Sequence, residues 1–251
     1  MALIPSGSSS RPGRWPAGIV GGVSTPRSDL RAKLDGWSWR DSLDLLREAA
    51  ASGPGGGEAL AEQPRRRTNW SERLYLAAIL GDASGDAGIA ELRECAHHTG
   101  PHTVDLRCAS LVALTKRLGP EATPILQSAL SDRNGIVRQY ALTCLAAFGD
   151  PSAWEAAFAE LRRKLQMARK TRDGKAREPS AVYYLIRTGG PDEWQRLGTL
   201  LTESWERLLP SFQADLLAFW PTLTTGDSMG EPDQNSMREI FPESNVLRRQ
   251  A

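Results

Sequence analysis

From residue 69 to about residue 221, apolar positions recur at helical spacing in segments of 10–15 residues, separated by Gly, Pro and Asp turns, with no alternating strand pattern. The pattern predicts an all-α chain. Val137, Ala141, Leu142, Leu145 and Phe148 form one broad stripe on a helix. Ala141 is the small member that allows a neighbouring helix to approach closely. Gly149 can take the left-handed conformation that ends a helix, and Asp150-Pro151 can start the next. Upstream, Leu30, Leu34, Trp37, Leu43, Leu45 and Leu46 predict a helical lead-in over 29–51. Residues 52–68 combine a glycine cluster with Arg65, Arg66 and Arg67, the composition of a linker. Residues 1–28 are rich in Ser, Gly, Pro and Arg, lack periodicity and are predicted to be a disordered tail; residues 222–251 are acidic, poor in apolar residues and predicted to be loosely ordered, with a short helix around 236–240.

The helical stretch repeats itself. Setting 106–119 above 137–149 places Arg107 on Arg138, Ser110 on Ala141 and Leu114 on Leu145, each 31 residues apart. Leu126 and Leu130 fall likewise on Ala157 and Leu161. Pro151 and Trp154 follow Gly149 as Pro191 and Trp194 follow Gly189. Two short helices joined at a tight turn have too small an apolar face to stand alone, and stacking the next pair buries it.

The string LSDRNGIVRQYALTCLAAFGD, residues 130–150, resembles the HEAT-repeat family in its short, phycobilisome-lyase-like form. Leu130, Asp132, Val137, Arg138, Ala141, Leu145, Phe148, Gly149 and Asp150 occupy the motif positions, with Cys144 in place of a small residue. Residues 106–130 fit more loosely, and the acidic position there is Pro101. The resemblance spans roughly residues 70–220. It implies a right-handed α-solenoid of four to five helical hairpins over 69–221, and a scaffold that binds macromolecules. Some HEAT-like proteins are DNA glycosylases using Trp and a catalytic Asp; that pattern does not map onto this chain residue by residue.

Charge changes the picture locally rather than globally. The whole chain carries a formal +1, which gives no general case for nucleic acid or anionic lipid. Yet Arg162, Arg163, Lys164, Arg169, Lys170, Arg172, Lys175 and Arg177 face the single acid Asp173 in a stretch that lengthens its repeat by about nine residues. These eight are the candidate partner-binding residues, joined by Gln127 and Glu155 on the concave second helices, and the expected partner is a protein with an acidic surface. Nucleic acid is the alternative, against which stands the absence of interleaved aromatics. Arg65–Arg67 could add to the same field, and the acidic C-terminal segment could fold back to mask it.

Arg107, Asp132, Arg138, Gly149, Trp154 and Trp194 are expected to be structural repeat positions, with Arg and Asp forming a ladder. His97, His98 and His102 cluster near Cys95 and Cys108, but no second Cys/His pair completes a usual zinc site, so no metal or cofactor is assigned. Three cysteines are an odd number, pointing to a reducing, cytoplasmic setting. No phosphate loop or nucleophile elbow occurs, so the expected activity is non-catalytic, and no apolar run is long enough to span a membrane.

Overall fold

The computed structural model describes residues 27–100, 102–168, 176–225 and 229–240. Among them every regular element is helical, and the single β-type contact is an isolated bridge between Ala176 and Leu208. No helix there is long and apolar enough to cross a membrane.

The chain opens with α1 (Arg27–Gly36), α2 (Asp44–Ala51), α3 (Pro54–Ala61) and α4 (Gln63–Arg66). Residues 52–68 are therefore not the linker that their composition suggests. α3 packs against α1, α2 and α5 (Trp70–Leu80), and Gly56, Gly57, Ala59, Leu60, Gln63 and Pro64 are buried. The glycines serve close approach: a Cβ on Gly56 would stand 2.0 Å from the Ala49 carbonyl oxygen of α2. Arg67 locks the junction, donating to the carbonyls of Trp37 and Leu34 at the end of α1 and pairing with Glu72 of α5.

Eight helices follow in chain order and are taken two at a time as units: α5 with α6 (Ile89–Ala96), α7 (Val104–Leu118) with α8 (Thr123–Ala129), α9 (Gly135–Phe148) with α10 (Trp154–Ala168), and α11 (Pro179–Thr188) with α12 (Pro191–Glu203). Asn69 and Asn134 cap α5 and α9 with their side-chain oxygens, and Pro opens α11 and α12 at the position where a missing N–H does no harm. Gly149, at φ +65°, closes α9 in the left-handed conformation that a side chain would strain.

The first helices form an unbroken series, α5 on α7, α7 on α9 and α9 on α11, and the second helices α6, α8 and α10 each pack on the first helix of the next unit. The interior runs continuously through Leu76, Leu92, Leu111, Leu114, Val137, Leu145, Leu161 and Leu185. α11 is buried on nearly every face from Pro179 to Ile186. Its Tyr184 hydroxyl donates to the Asp150 carbonyl and accepts from the Ala153 amide, fastening the α9–α10 turn to the following unit.

Beyond α12 come α13 (Pro210–Phe219) and α14 (Gln234–Ile240), with α14 packed on α13 and α11. The described part of the C-terminal segment is thus anchored rather than loose. Met237 is fully buried, the Trp220 indole donates to the Gly230 carbonyl at 2.6 Å, and Arg187 donates to Gln234. Met229 fills the space over Gly198 of α12, where a Cβ would meet its sulfur at 1.8 Å. The predicted tail lies outside the described residues as far as residue 26, as do residues 226–228 and 241–251.

Candidate functional site

The second helices α10 and α12 belong to successive units, and a groove of about 460 Å³ opens between them. Phe158 and Leu200 contribute its apolar lining, while Arg162, Arg196 and Arg207 carry its charge and Gln166 and Gln195 offer amides. Glu203 is the one acid in the lining.

An aromatic pair holds the guanidinium groups. Trp154 and Phe158 stack at 5.0 Å with 14° between their planes. The Arg196 guanidinium lies 4.8 Å from the Trp154 ring centre and 5.0 Å from that of Phe158; Arg162 lies 5.0 Å from Phe158. Guanidinium over an aromatic face is attractive and keeps the planar fork of donors in one orientation. Arg196 also makes two bonds to Glu155, at 2.7 and 3.0 Å, which tie α12 to α10 at one end of the groove. Those bonds hold the Glu155 carboxyl below its usual range. Arg162 and Arg207 form no ion pair with a described residue.

The other candidate cations are differently placed. Arg163 is held by Glu160 at 2.7 Å through both carboxylate oxygens, Lys164 pairs with Glu178, and Arg177 lies 4.0 Å from Asp215. Arg169, Lys170, Arg172 and Lys175 lie outside the described residues. Gln127 bonds Ser152 at 2.7 Å and does not line the groove. Arg65, Arg66 and Arg67 do not extend a basic field: they pair with Glu91 and Glu94, with Asp35 and Glu62, and with Glu72. Nor does the described C-terminal segment cover the groove, since it packs on α11, α12 and α13 through Met229 and α14.

Asp132 joins Arg107 through its carboxylate and caps the following turn by accepting from the Asn134 amide at 2.7 Å. Its carbonyl accepts from Arg138 at 2.7 Å, and Arg138 also lies 3.6 Å from Glu160. The two tryptophans that share a sequence position act differently. Trp154 donates to the Leu185 carbonyl in the next unit, and Trp194 donates to the Ile186 carbonyl of its own unit, both at 3.0 Å. Together they satisfy adjacent acceptors near the end of α11.

His97 and His98 are exposed at the end of α6, and His102 stacks on Trp70 at 6.4 Å. Among the described residues no cluster of three or more His, Cys, Asp or Glu is placed to hold a metal ion. Cys95, Cys108 and Cys144 are buried and unpaired. Burial raises all three thiols, those of Cys108 and Cys144 to about 12. At pH 8 the thiolate fraction at these two sites is then on the order of one in ten thousand. A thiol reagent at that pH is expected to label none of the three in the folded protein and all three in denaturant; rapid labelling without denaturant would show that the helices carrying them open.

Of the residues that line the groove, sequence reasoning singled out Arg162 and passed over Arg196, Arg207 and the stacking of Trp154 on Phe158. One trace was available: setting Trp194 on Trp154 places Arg196 next to the equivalent of Glu155, a complementary charge between consecutive second helices. No protein-family model, curated protein or solved structure matches the chain.

Proposed function

We propose that this chain is a right-handed α-solenoid of HEAT-like hairpins that acts as a non-catalytic scaffold, docking an acidic partner protein on the groove between α10 and α12. The observation that carries the reading is a groove lined by three guanidinium groups and one acid, Glu203, with Arg162 and Arg207 making no ion pair to a described residue. A groove whose cations outnumber its acids attracts an anionic partner and fixes its register more than it adds to bulk affinity. The consecutive packing of α5, α7, α9 and α11 supports the solenoid reading. Three buried, unpaired cysteines support a reducing compartment, the cytoplasm.

The test compares the full chain with an Arg162→Gln/Arg207→Gln variant as bait in lysate from the source cells. The expected result is a partner retained by the first, lost by the second and released by salt. Identical captured sets would sink the proposal. Random duplex DNA should not bind at physiological salt; micromolar binding with a steep negative salt dependence would instead favour phosphate-backbone recognition.

A further inference from the structure

We propose that the α10–α12 groove recognises a phosphorylated side chain, phosphoserine or phosphothreonine, presented on an extended segment of the partner. This rests on the groove being the docking site and names what it takes.

Charge is the first argument. A single carboxylate is satisfied by one guanidinium fork, as Glu155 is by Arg196. The groove holds two more, Arg162 and Arg207, with no ion pair to any described residue. One phosphoryl group carries close to two charges and three strong acceptor oxygens, enough to engage both.

Size and polarity supply the second. About 460 Å³ is far more than a phosphoryl group fills, so several residues of chain can enter with it. The primary amides of Gln166 and Gln195 each donate and accept, as a peptide backbone requires, and Thr199 and Ser204 line the same space, the Thr199 hydroxyl donating to the Gln195 main-chain carbonyl. A free phosphate ion would leave these groups unused.

The aromatic rings separate a peptide from nucleic acid. Single-stranded nucleic acid is held by stacking bases on open aromatic faces. Here Phe158 is 4% exposed and Trp154 5%, stacked on each other and flanked by guanidinium groups. Their surfaces are spent on orienting arginines.

The experiment uses the full chain and short fluorescent degenerate peptides with a fixed central phosphoserine or phosphothreonine, against matched libraries bearing Ser or Glu at that position. The phosphorylated libraries are expected to bind about tenfold tighter than the Glu library, and Arg162→Gln and Arg207→Gln each to weaken that binding about tenfold. Glu155→Gln removes a competing anion and is expected to strengthen it about threefold. Arg162 is exposed, so its variant reports on binding even where Arg207→Gln disturbs the fold, which helical circular dichroism checks.

Equal affinity for phosphorylated and Glu libraries would overturn the phosphoryl assignment and leave the acidic-partner reading standing. Phosphopeptide binding unchanged in Arg162→Gln would overturn the site itself. Displacement of the phosphopeptide by equimolar inorganic phosphate, or by random single-stranded DNA at equal affinity, would overturn the peptide as the source of the anion.

Discussion

Gly56→Ala is expected to destabilise the protein by about 2–3 kcal/mol, the range for forcing an atom into a filled contact. The new Cβ would lie 2.0 Å from the Ala49 carbonyl oxygen and 3.0 Å from its carbon, so α2 and α3 would have to separate. Both obstacles are backbone and neither can rotate away. Helix propensity alone gives the opposite sign, since alanine inside a helix is worth about 1 kcal/mol more than glycine. Urea unfolding followed by circular dichroism reads the difference directly. A lower midpoint supports the crossing of α2 and α3 at Gly56, and a raised one would refute it.

Arg67→Met is expected to cost about 3 kcal/mol, in the range for removing one partner of a buried ion pair. Arg67 is 13% exposed and Glu72 12%. The guanidinium donates to Trp37 O at 2.7 Å, Asp35 O at 3.2 Å and Gln63 Oε1 at 3.1 Å, as well as to Leu34 O. Methionine fills the same path but leaves the end of α1 without those donors and Glu72 without its cation, keeping only the Trp39 amide at 3.4 Å among the bonds described. Neutralising the carboxylate as well, in Arg67→Met/Glu72→Gln, should recover about 1 kcal/mol, because the two residues are coupled. A loss below about 1 kcal/mol for the single variant would mean that the clamp contributes no more than a surface pair.

The all-helical class was legible because apolar spacing and turn residues agree from residue 69 onward. Val137, Ala141, Leu142 and Leu145 are buried and Gly149 terminates α9, as their pattern requires. The lead-in was harder. A glycine run permits both a loose connection and a tight helix crossing, since both follow from the missing side chain, and composition does not separate them. The apolar pair Ala59-Leu60, one residue beyond the run, was the trace of α3 in the sequence. Arg65, Arg66 and Arg67 look like a solvated run because their acids, Asp35, Glu72, Glu91 and Glu94, lie at other points of the chain.

The groove was half legible for the same reason. Arg162 stands in a dense basic stretch, whereas Arg196 and Arg207 acquire meaning only when α12 is set beside α10. The C-terminal segment is polar overall, and two methionines are among the few apolar residues that anchor it. Met229 over Gly198 and Met237 against the interior are single residues that an averaged composition dilutes.

The Glu155–Arg196 bond leaves the two walls of the groove fastened at one end, while α10 and α12 make their firmest contacts with α11 rather than with each other. Such a wedge opens by angle, like the jaws of a clothes-peg, so an occupant at its free end exerts leverage at the latched one. The Tyr184 hydroxyl, bonded to Asp150 and Ala153, ties α11 to the turn that leads into α10, so a change in the angle between α10 and α12 would load that turn.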